Sequence, residues 1–259
     1  DCSNHKIISE YNEVVGMADG LVDTGLISKK AMLRVVEAIK HSIEILKYDS
    51  KEAVCVTTAA MRKASNNKEV LEYFKKETDM SFEIIDGFEE ARLTLLAVKY
   101  ALKRENISSN NFILLDIGGG STEIIVNTNE KYEAHSFDFG IVTMTQKFLK
   151  THDLHNDLEN KKTQIKNFLD SLNIDLTNYN FVATAGTPTT IAAIKLGQDF
   201  FSYDRNIVNG TIVNLDDISY CLEIFKNSSN EEIAKLVGRG RVEFIEVGIF
   251  IYKMIFYFL

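Results

Sequence analysis

The residues best suited to chemistry lie in one run, Asp116-Ile117-Gly118-Gly119-Gly120-Ser121-Thr122-Glu123. An acid closes an apolar stretch, three glycines follow, then two hydroxyls and a second acid. Consecutive glycines cost chain entropy. They suit a backbone that must pass very close to a ligand. Amides in such a turn form a nest that accepts phosphate oxygens. Asp116 and Glu123 stand at the two ends of the turn and can converge on one hard cation. Mg²⁺ takes one or two carboxylates and completes its shell with water and phosphate oxygens. The run is not a Walker A loop, because no lysine follows the glycines. Nor is it a Rossmann fingerprint, because no GxGxxG opens a helix. A plain hairpin turn with solvated acids is the alternative, and it needs neither three glycines nor two hydroxyls.

Three further runs bear on the same chemistry. In Ile84-Ile85-Asp86-Gly87-Phe88-Glu89-Glu90-Ala91-Arg92-Leu93 an apolar strand turns at glycine into a helix with paired acids in its first turn. Such acids complement the helix dipole. Beside a phosphate nest, one of them can orient and deprotonate water. Ala183-Thr184-Ala185-Gly186-Thr187-Pro188-Thr189-Thr190 again runs strand, glycine, helix start, and a helix N-terminus suits an anion. In Thr57-Thr58-Ala59-Ala60-Met61-Arg62-Lys63 a strand end leads to two cations, and Arg62 can clamp a phosphate bidentately. Two short matches are set aside. Asp23-Thr24-Gly25 resembles the aspartic protease triplet but has no second copy, and Gly25 reads as a turn before Ser28. Asp138-Phe139-Gly140 resembles the kinase metal triplet, without the HRD loop or the glycine-rich loop and its lysine.

These runs need strands that end where helices begin. Met32, Val35, Val36, Ile39, Ile43 and Leu46 recur at helical spacing over 28–48, which forms one apolar stripe, and Ser28 can cap it. The spacing predicts a short buried strand over 53–58, a helix over 67–77, a strand over 82–86 and a helix over 87–103. The polar stretch 103–111 is the expected domain boundary. Beyond it come strands at 112–116, 123–127 and 132–138, the last two around a turn at 128–131. Helices follow at 142–151 and 157–172, a strand at 181–185, and a helix at 188–196 with Pro188 in its first turn. Helices at 215–225, 231–236 and 242–258 finish the chain. Strands alternating with helices imply an α/β fold with mainly parallel sheets plus hairpins.

Composition bounds the partners. The chain has 259 residues and a net charge of −8, which argues against a broad nucleic-acid face. It permits a small anion held locally by amides, a metal ion and arginines. Cys2, Cys55 and Cys221 are scattered and odd in number, as in reduced, cytoplasmic proteins. The apolar C-terminus, 247–259, contains Lys253. It is shorter than the ~20 residues of a spanning helix, and reads as a core-facing helix rather than a membrane anchor.

The ordered motifs TTAAMRKA, IIDGFEEARL, LLDIGGGSTEIIV, FDFGIVTMTQKF, VATAGTPTTIAAI and RVEFIEVGIFI resemble those of the exopolyphosphatase and guanosine pentaphosphate phosphohydrolase family along essentially the whole chain. That resemblance implies the actin-like fold shared with sugar kinases and Hsp70 ATPases: two domains with mixed sheets flanked by helices around a cleft. Here it divides the chain into 1–107 and 108–259, with the last helix packing back toward the first domain. It implies Mg²⁺-dependent hydrolysis of the terminal phosphate of polyphosphate, or of the 5′-phosphate of pppGpp, with polyphosphate or guanosine penta/tetraphosphate as the partner, and leaves a homodimer open. The family's catalytic glutamate falls on Glu90 and its metal-binding acids on Asp116 and Glu123. Its phosphate loop falls on Gly118, Gly119, Gly120, Ser121 and Thr122, its second loop on Gly186 and Thr187, and its arginine on Arg62. The family's opening DxGSNSxR loop and final strand have no counterpart here. The chain is therefore expected to be a fragment, or a catalytically impaired polyphosphate- or nucleotide-binding sensor. Asp86 replaces a serine usual in the family, and Pro188 follows the second loop. A sugar or acetate kinase on the same fold fits less well, because EEAR precedes DIGGG.

Overall fold

A computed structural model describes residues 7–129 and 131–257. Residues 1–6 of the expected N-terminal hairpin, Glu130 of the 128–131 turn and the last two residues lie outside that range. The chain forms two compact units, one reaching Ile85 and one beginning at Asp86.

In the first unit, α1 (Leu21–Thr24) ends at Gly25, whose φ of 66° makes the expected turn before Ser28. Ser28 then caps α2 (Lys29–Leu46) by accepting from the Ala31 amide. The remaining elements are β1 (Cys55–Thr57), α3 (Ala59–Lys63), α4 (Asn67–Thr78) and β2 (Phe82–Ile84). Ile27, Met32 and Val36 pack with Met61, Val70 and Phe74 in its core. The two strands pair in parallel, from Cys55 opposite Phe82 to Thr57 opposite Ile84. The segment expected as a buried strand is half-buried, with Val54 94% and Val56 42% exposed. The reason is topological: among the described residues β2 is its only strand partner.

The second unit begins with α5 (Gly87–Arg104), capped by the Asp86 carboxylate, which accepts from the Glu89 amide at 2.8 Å. Its sheet runs in the order β5-β4-β3-β6, from β3 (Phe112–Ile117), β4 (Thr122–Asn127), β5 (Tyr132–Phe137) and β6 (Asn180–Thr184). β3 pairs antiparallel with β4 and parallel with β6, so the sheet is mixed. One face (Phe112, Leu114, Ile125) packs on the α5 stripe of Ala91, Leu95, Val98 and Leu102. That packing is why the units divide at residue 85 rather than at the polar stretch 103–111. The stretch is only the connection from α5 to β3.

The other face (Ile113, Leu115, Ile117, Ile124, Val126) is covered by the rest of the chain. That layer holds α6 (Ile141–Thr151), α7 (Leu154–Ser171), α8 (Gly186–Lys195), with α9 (Arg205–Val208) packed on α8 through Val208, and then α10 (Leu215–Asn227), α11 (Asn230–Val237), a 3-10 turn at Arg239–Arg241 and α12 (Ile245–Phe256). Helix α12 buries Ile245, Val247, Ile249, Ile251 and Ile255, as its composition required. It packs within this unit against α6, α7, α8 and α10. Among the described residues no helix is long and apolar enough to cross a membrane.

Candidate active site

Register builds the site. Asp116 lies directly opposite Glu123 on β4 and opposite Thr184 on β6, and Glu123 lies opposite Ser136 on β5. Cross-strand partners share a face. Ser136, Glu123, Asp116 and Thr184 thus form one polar row across the sheet, on the side where α5 packs. Each acid is held by a hydroxyl. Ser136 Oγ donates to Glu123 Oε1 at 2.6 Å, and Thr94 Oγ1 donates to Asp116 Oδ2 at 3.2 Å. Thr94 stands one turn beyond Glu90 on α5, so these two side chains share a helix face.

The two acids of the EEAR run separate cleanly. Glu89 takes a bidentate bond from Arg92, both contacts at 2.7 Å. The charge of Glu90 instead acts on both Asp116 and Glu123, raising the pKa of each. Burial is the larger cause in both. It lifts the Asp116 carboxyl to about 6 and the Glu123 carboxyl to about 7, against the bonds from Thr94 and Ser136. Two buried carboxylates beside a third are electrostatically short of a cation. Among the described residues no three His, Cys, Asp or Glu side chains form a metal set. The pair Asp116 and Glu123 therefore fits a hard ion, such as Mg²⁺, that draws most of its shell from water and substrate oxygens.

The glycine turn is closed by the Gly118 amide, which donates to the Ser121 carbonyl at 3.0 Å. That amide is consumed within the turn, which removes it from the expected phosphate cradle of residues 118–122. Thr122 also departs from expectation. It is fully buried on the opposite face from the acids, and its hydroxyl donates to the Phe139 carbonyl at 2.8 Å.

At the second loop, Ala185 precedes α8 with φ 70° and ψ −168°, a region that only glycine enters without strain. A Cβ on Gly186 would lie 3.1 Å from the Arg241 guanidinium carbon. A cation thus stands against the positive end of a helix, an arrangement favourable only with an anion between or beside them. Arg241 opens the RVEFIEVGIFI run, but its residue type alone gave it no role there. The Thr187 side chain is 1% exposed and its hydroxyl has no hydrogen-bond partner among the described residues. It packs toward Gly248 of α12, where an added Cβ would come within 2.6 Å. Arg62 lies in the first unit, where its Nη1 donates to the Ile85 carbonyl at 2.9 Å.

Known proteins resemble this chain in sequence and fold. A crystal structure of the Aquifex aeolicus Ppx/GppA family member matches with a TM-score of 0.69 and 27% identity, covering 96% of this chain and 81% of that one. An exopolyphosphatase from Cytophaga hutchinsonii matches with a TM-score of 0.73 at 21% identity, covering 95% of this chain and 81% of that one. Among curated relatives, the bifunctional 3-dehydroquinate synthase/phosphatase of Fusobacterium nucleatum is 25% identical over 252 residues, which are 94% of this chain and 37% of that protein. Exopolyphosphatase 1 of Mycobacterium leprae is 31% identical over 144 residues, 55% of this chain and 42% of that one. The chain thus spans less than half the length of these two curated relatives.

The sheet, its flanking helices and these neighbours define an α/β protein of the actin-like ATPase fold. The model of the Ppx/GppA phosphatase family matches residues 2–259, and the chain belongs to that family.

Proposed function

We propose that this chain is a phosphoanhydride hydrolase that releases the terminal phosphate of inorganic polyphosphate or converts pppGpp to ppGpp. The observation that carries this reading is the acidic row, with Asp116 opposite Glu123 and the charge of Glu90 acting on both. Family membership and the exopolyphosphatase relatives support the reaction class. Asp116 and Glu123 would hold Mg²⁺, and the ion would supply positive charge at the terminal phosphate. The glycine turn and the start of α8 bind the chain's oxygens. Glu90 orients a water in line with the scissile bond and accepts its proton. Phosphoryl transfer depends chiefly on positioning and electrostatics, so no covalent intermediate is needed. Thr94 and Ser136 each occupy one carboxylate oxygen and so fix how the acids face inward.

The test is phosphate release from polyphosphate and from pppGpp in Mg²⁺, comparing the unmodified protein with Glu90→Gln. Loss of a general base lowers the rate ~10²–10⁴-fold, and that is the expected result. Equal rates remove Glu90 from the base role. Tight binding without released phosphate in the unmodified protein identifies a sensor instead.

A further inference from the structure

The triplet Asp138-Phe139-Gly140 does no kinase chemistry here, yet it sits against the glycine turn. Gly140 has φ −153°, extended backbone that any residue adopts. Its need for glycine is spatial. A Cβ there would lie 2.4 Å from the Gly118 carbonyl oxygen and 2.6 Å from the Gly119 carbonyl carbon. Both are backbone atoms with little freedom to move aside.

The first turn of α6, which begins just after Gly140, completes this contact. The Ile141 amide donates to the Gly118 carbonyl at 2.9 Å. The Val142 and Thr143 amides donate to the Gly119 carbonyl at 2.9 and 3.2 Å. These amides would otherwise lack helical partners, and here their partner is the turn. The Gly140 amide is itself held by Thr143 Oγ1 at 2.9 Å, and the neighbouring Phe139 carbonyl by Thr122 Oγ1 at 2.8 Å.

Peptide geometry carries the consequence. No peptide bond is cis among the described residues. In a trans peptide the carbonyl of one residue and the N–H of the next point in opposite directions. With the Gly118 and Gly119 carbonyls drawn toward α6, the Gly119 and Gly120 N–H groups are turned away from it.

We infer that Gly140 and the first turn of α6 are the positioning device of the phosphate turn, aiming the Gly119 amide at the bound anion. Gly140 acts through the turn and touches no substrate. Its role rests on the reading that the glycine turn takes phosphate.

The test uses protein labelled with nitrogen-15 at its 14 glycines, carrying Glu90→Gln to slow turnover, with tripolyphosphate and Mg²⁺ as the probe. The Gly119 amide signal shifts strongly on binding, and the Gly118 signal, tied to Ser121, shifts little. In Gly140→Ala, tripolyphosphate binding measured by calorimetry weakens by about tenfold or more, as expected when charge-assisted bonds are misaimed. A purely structural role would leave the shift pattern unselective. Binding in which Gly118 moves as much as Gly119 overturns the device, as does unchanged affinity in Gly140→Ala. The spectrum needs no change at residue 140, so it decides even if that variant does not fold. Absence of any binding overturns the functional reading itself, and is distinguished from the first failure because no signal then moves.

Discussion

Ala185 illustrates how one residue can mark a site. Its φ of 70° and ψ of −168° cost an alanine ~1–3 kcal/mol. Replacement by glycine relieves that strain and adds ~0.5–1 kcal/mol of unfolded-state entropy. Ala185→Gly is therefore expected to stabilise the fold by about 1 kcal/mol, read as a higher urea midpoint at unchanged slope. A lower midpoint would show that the backbone at 185 is unstrained. Residues differ in how far sequence reveals them. Asp116, Glu123 and the glycines were legible because their types are improbable in a plain hairpin. Ser136 and Thr94 were not, since a lone hydroxyl in a strand or helix looks like a solvent-facing position. Only the register that sets Ser136 opposite Glu123 and Thr184 opposite Asp116 makes them part of the row. Arg241 opens the RVEFIEVGIFI run, yet its role was not readable, because its partner Gly186 is distant in sequence.

At the scale of elements, long helices were readable and short ones were not. Helix α2 declared itself by an apolar stripe and a serine cap, and its observed bounds fall within two residues of those expected. Helices α1, α3 and α9 span only four, five and four residues, too few for a periodicity to register. Packing between helices was equally hidden. Gly248 sits inside α12, where helix propensity favours alanine by ~1 kcal/mol. A Cβ there would meet Thr187 Oγ1 at 2.6 Å and Ile141 Cγ2 at 3.0 Å. Close approach of α12 to α8 and α6 therefore outweighs propensity. Gly248→Ala is expected to destabilise by ~1–3 kcal/mol, the usual cost of overpacking. Thermal unfolding of the variant checks this. A rise in Tm would mean that Thr187 rotates aside without penalty.

For the molecule as a whole, pH separates the site from the surface. Exposed acids such as Asp153, Asp175 and Asp199 are held below the usual carboxylate range by local hydrogen bonds. Their contribution is lost only as pH falls through that range. Asp116 and Glu123 work in the opposite sense. Burial lifts them from 3.8 and 4.5 to about 6 and about 7. The folded state then binds more protons than the unfolded chain between those limits, and stability declines as pH rises through the window. Each shift of this size corresponds to on the order of 3 kcal/mol at full ionisation. In a chelating buffer, Tm is therefore expected to fall between pH 5 and pH 7.5. If the ionised pair takes a divalent ion as proposed, Mg²⁺ should restore Tm at pH 7.5 and do little at pH 5, where protons compete for the same oxygens. The double variant Asp116→Asn, Glu123→Gln removes both titrating groups and should show neither the decline nor the Mg²⁺ response. A Tm that rises across the window in chelator would reverse the sign argued for the pair. An Mg²⁺ response that survives in the double variant would move the ion elsewhere on the protein. The net charge of −8 makes the comparison with that variant necessary, because weak ion binding over an acidic surface also raises Tm and depends far less on pH in this range.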